Sequence, residues 1–180
     1  RGARMHGATI CEDTEVLRIE VEAGVIKAVV TVAPDGSEGR IECEKVVVCG
    51  GQWTRALCAT VGVNVPLVPV EHQYVITEQF TPEVPRNLPT LRDPDRLTYY
   101  KEEVGGLVMG GYEPNPIPWA TKGTPRPFQF QLLDSNWDPF APTMEPAIGR
   151  VPELANTGIR QLINGPESFT PDGNFILGEA

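Results

Sequence analysis

The sequence predicts an α+β protein dominated by a mostly antiparallel sheet. Its 180 residues include 18 prolines and 18 glycines, which favour strands and irregular connections over long helices. Residues 68–76 alternate between two faces of an extended segment, the period of a strand. One of these faces carries Val68, Val70, His72, Tyr74 and Ile76. Only one short stretch, residues 51–62, has the four-residue spacing of a helix.

A strand, a tight turn and that helix are predicted in succession. Val46 to Cys49 form an apolar run, typical of a strand buried on both faces. Gly50 and Gly51 follow, and Gly62 is expected to end the helix. In such a βα unit the glycine backbone can approach a nucleotide closely.

The remaining elements are mostly strands. Before the βα unit, Ile19 and Val21 share one face of a first strand, a second begins at Val25, and a third follows the turn at residues 34–39. After it, residues 97–101 and 106–112 flank a glycine-containing loop and predict a hairpin. The prolines that follow predict a connection along an edge or surface. These prolines are Pro114, Pro116, Pro118, Pro125 and Pro127.

The last third of the chain predicts one more helix and one more strand. Residues 144–151 form a short helix candidate between Pro142 and Pro152. Residues 159–164 predict a strand, and residues 165–174 predict a loop.

Composition excludes several classes of function. A net charge of −9 and a pI near 4.7 argue against nucleic-acid and anionic-membrane binding. We find no apolar run long enough to span a membrane and no signal-peptide pattern near the start, so a cytoplasmic location is the default expectation. The four cysteines form no CxxC pair and lie at no metal-binding spacing, so no metal site is predicted. Cys49 and Cys58 are interpreted as small core residues.

Five stretches resemble one known family. They are VVVCGGQWTR, PLVPVEHQYVIT, TYYKEEVGGLVMGGYEPNPIPW, NWDPFAPTMEPAIGRVPEL and NGPESFTPDGNFILGEA. In this order they resemble the flavin-dependent amine oxidoreductases of the D-amino-acid-oxidase superfamily, and within it the sarcosine and dimethylglycine dehydrogenases. The resemblance implies FAD as cofactor and a small-molecule amine as substrate.

The resemblance also implies how the chain is divided. Residues 1–65 would be part of the FAD-binding domain, residues 66–161 the antiparallel substrate domain, and residues 162–180 a return to the FAD-binding domain. The sequence has no GxGxxG after a first strand, the motif that seats a dinucleotide on a helix N-terminus. We therefore expect an internal fragment whose partial α/β flavin domain lacks that fingerprint.

His72 and Tyr99 are the predicted catalytic residues. A histidine can orient groups or accept protons near neutral pH, although a histidine on an apolar strand face is more often structural. Tyr99 and Tyr100 point to opposite faces of one strand, and period alone does not choose between them. The resemblance assigns Tyr99 to the active site and Tyr100 to the core.

Four residues are predicted to contact the cofactor. The resemblance gives Trp53 a flavin contact and gives Gly50 and Gly51 the close backbone approach, whereas the alternative for Trp53 is packing between helix and sheet. It also matches Val16 to a position whose backbone meets the adenine. The cations available for a substrate carboxylate, among which the sequence does not select, are Arg92, Arg96, Lys101, Arg126 and Arg150. Asp172 is expected to fix a loop.

The resemblance predicts that the parent enzyme oxidises an N-methylated glycine, sarcosine or dimethylglycine, by hydride transfer to FAD. The isolated chain is expected to bind FAD poorly and to be inactive, and its incomplete flavin domain should expose apolar surface that favours self-association. The mitochondrial matrix replaces the cytoplasm as the expected location if the parent is eukaryotic. Two alternatives remain: a non-catalytic regulatory relative, like the regulatory subunit of pyruvate dehydrogenase phosphatase, and a ligand-binding module built from the substrate sheet.

Overall fold

The computed structural model describes all 180 residues and divides them into two compact units. The first unit comprises residues 1–67 and 170–180, and the second comprises residues 68–169. Which part of the chain binds the cofactor and which binds the substrate stays a prediction. No helix is long and apolar enough to cross a membrane.

The first unit contains a three-stranded antiparallel sheet in the order β1-β2-β3. A short helix, α1 (Gly2–Met5), precedes the strands, which are β1 (Glu15–Glu22), β2 (Val25–Val32) and β3 (Glu38–Glu42). Gly24 takes a φ of +77° in the turn between β1 and β2, where a side chain would be strained. The three strands confirm the predicted run of strands.

The predicted helix after the double glycine is confirmed, although it ends at Ala59 and not at Gly62, but the predicted strand before it is wrong. Gly51–Trp53 form a 3₁₀ turn that continues into α2 (Thr54–Ala59). The preceding residues 45–50 belong to no strand, because no other segment pairs with them. Val47 is accordingly 86% exposed, and Cys49 is exposed instead of buried in a core.

The second unit is built on a five-stranded sheet in the order β5-β6-β7-β4-β8. Its strands are β4 (Val68–Thr77), β5 (Leu91–Asp93), β6 (Thr98–Glu103), β7 (Gly106–Gly111) and β8 (Ile159–Phe169). Every pairing is antiparallel, which confirms the predicted fold class. The hairpin of β6 and β7 is also confirmed.

One face of this sheet is covered by α3 (Trp137–Arg150) and forms the core. Phe140 and Ala147 of the helix are fully buried with Val75 and Met109 of the sheet. The helix begins seven residues earlier than predicted and includes Pro142 and Pro146 in its interior. The burial of its apolar face offsets the backbone hydrogen bonds that the prolines remove.

The last strand is also longer than predicted. β8 runs to Phe169 and pairs with β4 as far as Val68, through residues that the sequence indicated as a loop. Pro166 is tolerated because β8 is an edge strand, where a missing backbone N–H need not break a ladder.

The proline-rich connection after β7 continues alongside β4. The backbone N–H of Glu71 donates to Ile117 and that of Trp119 donates to Pro69, so β4 has a neighbour where β7 has ended. The five prolines of this connection are exposed, which confirms the predicted surface path.

Candidate active site

A row of side chains crosses the sheet on the face opposite α3. Register places Arg92 opposite Tyr99, Tyr99 opposite Gly110, and Gly110 opposite Tyr74. Residues directly opposite in a sheet point to the same side, and His72, two residues before Tyr74, shares it. We call this surface the site face. It brings the two predicted catalytic residues together.

Gly110 makes room for the tyrosine ring on the site face. A Cβ atom added at Gly110 would overlap the ring and hydroxyl of Tyr99. The absence of a side chain on β7 therefore lets the Tyr99 ring lie across that strand toward His72 on β4. A residue larger than glycine would displace the ring from the histidine.

His72 is the centre of a polar cluster. Its Nε2 atom lies 3.5 Å from the Tyr99 hydroxyl oxygen and 3.7 Å from Oε2 of Glu167. Its Nδ1 atom lies 3.0 Å from Oε2 of Glu113, and the His72 side chain is 15% exposed. Both ring nitrogens therefore face groups that can exchange or hold a proton.

Tyr112 and Arg92 extend the cluster. The Tyr112 ring centroid lies 5.8 Å from that of Tyr99 and 6.2 Å from that of His72. The Arg92 guanidinium lies over the Tyr112 ring, 5.1 Å from its centroid, and donates a hydrogen bond to its hydroxyl. A cation is thus held against aromatic surface beside the histidine and tyrosine.

Among the candidate cations that the sequence left open, Arg92 lies beside the predicted catalytic pair, and three others are engaged by carboxylates elsewhere. Arg96 donates to Asp93 at 3.1 Å, and Arg150 lies 3.7 Å from the same carboxylate. Lys101 pairs with Glu103 at 3.3 Å. Arg92 instead lies on the site face, where its planar guanidinium suits a carboxylate.

The cluster shifts the pKa values of its members. The hydrogen bond with Glu113 raises the pKa of His72 above its ordinary value, despite the opposing effect of burial. Burial tends to raise the pKa of Glu113, but hydrogen bonds from His72 and from backbone N–H groups lower it overall. Burial, assisted by neighbouring tyrosines and carboxylates, raises the pKa of Tyr99 to about 12. Tyr99 is therefore a neutral phenol near neutral pH, whereas Glu113 is a carboxylate.

Tyr100 lies on the other side of the sheet. It is buried in the core, and its hydroxyl donates to Ala147 of α3 at 3.3 Å. The strand period did not decide between the two tyrosines. In the structure Tyr99, not Tyr100, lies beside His72.

Sequence reasoning missed Glu113. Alternation continued past β7 places Tyr112 on the site face with Gly110 and would place Glu113 on the opposite face, but regular alternation ends with the strand at Gly111. The signal was its place between a tyrosine and the first proline of the connection, where the regular strand ends.

The model of the DAO family, described as FAD dependent oxidoreductase, matches residues 1–180. The chain belongs to the DAO family. Mouse mitochondrial sarcosine dehydrogenase is 39% identical over 180 residues, which is 100% of this chain and 19% of that protein. The mouse mitochondrial pyruvate dehydrogenase phosphatase regulatory subunit is 34% identical over 180 residues, 99% of this chain and 20% of that protein.

A solved structure has a similar fold. L-proline dehydrogenase from P. horikoshii superposes with a TM-score of 0.73 at 25% identity, over 99% of this chain and 44% of that one. The chain spans about a fifth of the length of mouse sarcosine dehydrogenase and of the mouse phosphatase regulatory subunit. The predicted family, fold and FAD dependence of the parent are confirmed.

The residues predicted to contact FAD lie in the first unit, where Gly51 and Trp53 are accessible to a ligand. Gly51 has a φ of +52°, and a Cβ added there would meet nothing within 4 Å, so its backbone is open to a ligand. A Cβ at Gly50 would lie 3.3 Å from the Thr54 hydroxyl oxygen, which leaves little space. Trp53 follows with 42% of its surface exposed, an aromatic surface available for stacking.

Val16 contributes to a different part of the first unit. It lies on β1 opposite Thr31, next to an irregularity in the β1–β2 register, and is 39% exposed. The cofactor roles of Val16, Gly50, Gly51 and Trp53 stay predictions. Asp172 accepts hydrogen bonds from the Thr170 hydroxyl and the Asn174 backbone N–H, which confirms its loop-fixing role.

Proposed function

We propose that the protein containing this chain oxidises an N-methylated glycine, sarcosine or dimethylglycine, with FAD as the electron acceptor. The observation that carries the proposal is the 3.5 Å approach of Tyr99 to His72 on a sheet face that also holds Arg92. A carboxylate-binding cation beside a pair of proton-exchanging groups suits a substrate that is an amine and an acid at once. The 39% identity to mouse sarcosine dehydrogenase supports this substrate class.

The substrate-side residues would have separate tasks. Arg92 would bind the carboxylate, with Tyr112 holding its guanidinium in place. Tyr99 and His72 would accept the proton of the substrate ammonium, because a positive nitrogen opposes loss of hydride from the adjacent carbon. When bound, FAD would supply the two-electron chemistry as acceptor of that hydride. The oxidised amine would then release formaldehyde or pass its carbon to folate.

The cofactor-side residues would hold FAD. The open backbone at Gly51 and the exposed indole of Trp53 support this role; Gly50 would contribute the close backbone approach beside it, and Val16 would lie near the adenine. The isolated chain would bind FAD poorly and turn over no substrate, because it has no GxGxxG fingerprint. For a eukaryotic parent we propose the mitochondrial matrix.

The test is reduction of the flavin by sarcosine and by dimethylglycine in the full-length protein under anaerobic conditions. We expect reduction in the unsubstituted protein and a loss of roughly 10²-fold or more in its rate for His72→Gln and Tyr99→Phe. His6→Gln is the matched control, because His6 is the other histidine of the chain and is exposed. Equal rates in all four proteins would contradict the assigned roles.

A regulatory function is the second candidate, favoured by the 34% identity to the pyruvate dehydrogenase phosphatase regulatory subunit. The same experiment separates the two. A full-length protein that retains FAD but is not reduced by any N-methylated glycine would support regulation and contradict amine oxidation.

A further inference from the structure

We propose that Glu113 is a positioning residue that fixes the Nδ1–H tautomer of His72 and so directs the Nε2 lone pair at the Tyr99 hydroxyl. The inference rests on the proposed function of the His72–Tyr99 pair. It adds a carboxylate that touches neither substrate nor cofactor in that proposal.

Glu113 is held at two points. Its Oε2 atom lies 3.0 Å from His72 Nδ1, and its Oε1 atom accepts the backbone N–H of Gln73 at 3.2 Å. Its side chain is 11% exposed. Since His72 and Gln73 are consecutive residues of β4, the two contacts fix the carboxylate plane relative to the imidazole.

Charge decides which nitrogen of His72 carries the proton. An ionised carboxylate has no hydrogen to donate, so the hydrogen of the Glu113 contact must lie on Nδ1. In the neutral imidazole, Nε2 is then an acceptor. That acceptor faces the Tyr99 hydroxyl, which can donate to it.

A second carboxylate competes for the histidine. Glu167 of β8 lies 3.7 Å from Nε2 and would favour a proton there, but its side chain is 55% exposed. Glu113 is closer and more buried, so it outweighs the solvent-screened Glu167. The other titratable groups that face His72 are Tyr99 on β6, Tyr112 after β7 and Tyr74 on β4.

The arrangement provides a balanced proton transfer. The N–H bond of the substrate ammonium breaks as its proton passes to the Tyr99 oxygen, while the O–H bond of Tyr99 breaks as its own proton passes to His72 Nε2. The products are a neutral amine, a neutral phenol and an imidazolium that faces both Glu113 and Glu167. No electrons move in this step. The raised pKa of Tyr99 favours transfer through the tyrosine over formation of a lasting phenolate.

The tautomer is measurable in the chain itself. Only two histidines are present, so a long-range ¹H–¹⁵N NMR spectrum resolves His72, with exposed His6 as internal reference. In Glu113→Gln, the Gln73 N–H still requires an oxygen acceptor. The new amide should therefore turn its NH₂ group toward Nδ1, and the neutral His72 should become the Nε2–H tautomer. Glu167→Gln is the charge-matched control and should leave the Nδ1–H tautomer in place.

A second variant and an activity measurement complete the test. Glu113→Ala should leave a mixture of tautomers, and an Nδ1–H tautomer unchanged in both Glu113 variants would overturn the proposal. In the full-length protein, Glu113→Gln should shift the histidine limb of the kcat/KM pH profile to lower pH and lower its plateau about tenfold or more. A purely structural role would leave that limb in place, as expected for the control Glu103→Gln on β6.

Failure of this inference is distinguishable from failure of the proposed function. If the full-length protein oxidises amines but the tautomer does not respond to Glu113, the positioning role alone is wrong. If the tautomer responds but no amine is oxidised, the positioning geometry holds and the amine-oxidase assignment is wrong.

Discussion

Replacement of Gly110 by alanine tests the geometry of the site face most directly. A Cβ atom at Gly110 would lie 2.8 Å from Cε1 of Tyr99, and closer still to its Cζ and hydroxyl oxygen, whereas ordinary contacts begin near 3.4 Å. The Cε1 contact alone requires a displacement of about 0.6 Å, from 2.8 to 3.4 Å, and the closer contacts at Cζ and the hydroxyl oxygen require more. The Tyr99–His72 approach of 3.5 Å is already at the limit of a hydrogen bond. We therefore expect Gly110→Ala to break it.

The neighbouring Gly111 provides a matched control. A Cβ there would overlap Thr143 of α3 on the opposite face of the sheet. Both substitutions overpack a buried strand and should lower the free energy of unfolding by about 1–3 kcal/mol, measured by urea denaturation of the chain. Only Gly110→Ala should also lower the rate of flavin reduction in the full-length protein, by about tenfold or more at equal folded fraction.

The outcomes for this pair of variants are unambiguous. Equal losses of activity in Gly110→Ala and Gly111→Ala would show that activity follows stability and not the position of Tyr99. A fully active Gly110→Ala would refute the reasoning outright, because the ring cannot keep its position against the added methyl group.

Three further predictions follow from the same structure. The His72–Glu113 pair should contribute about 1–3 kcal/mol of stability between pH 4.5 and 6.5, measured as the difference in urea unfolding between the chain and Glu113→Gln. This stability contribution should be lost as pH falls through the lowered pKa of Glu113 and as pH rises through the raised pKa of His72. A difference in stability that is independent of pH would contradict the prediction. Trp53→Ala should weaken FAD binding to the full-length protein, measured by fluorescence titration, with little loss of stability because the indole is 42% exposed. The isolated chain should self-associate in analytical ultracentrifugation, and replacing exposed Val47 and Phe175 by aspartate should reduce this; a chain that is monomeric at every concentration would refute the prediction.

The parts of the fold that the sequence predicted are those with a strong local period. The strand around His72 and the hairpin around Tyr99 alternate cleanly, and each pairs with a neighbour within the chain. The helix after Gly51 has its apolar residues at four-residue spacing. For these segments the local pattern and the tertiary packing agree.

The errors arose where tertiary packing overrides a local signal. Pro142 was expected to precede the helix, yet the burial of Phe140 and Ala147 maintains one continuous helix through it. Residues 165–174 were predicted to form a loop, yet β8 continues to Phe169 because an edge strand tolerates Pro166. An apolar run does not form a strand without a partner, as residues 45–50 show.

The residue types of the candidate site were predictable, but the contacts between these residues were not. Alternation placed His72 on a face of its strand, and the family resemblance chose Tyr99. The register that sets Gly110 between two tyrosines depends on pairing across three strands, which no local pattern specifies. Glu113 reaches His72 because β7 ends at Gly111 and the chain pairs with β4 again only at residues 117–119, so the carboxylate lies in the gap between them.

The backbone pairing of β4 has a consequence for local opening of the molecule. β8 lies along one side of this strand, while the other side is occupied in turn by residues 117–119, the Glu113 carboxylate and β7. Amides protected on both sides exchange with solvent only in the larger unfolding events. The amide hydrogens of β4 should therefore be among the last to exchange with deuterium, and those of the three-residue edge strand β5 among the first. The strand that carries His72 would then remain formed while the edge that carries Arg92 opens and closes.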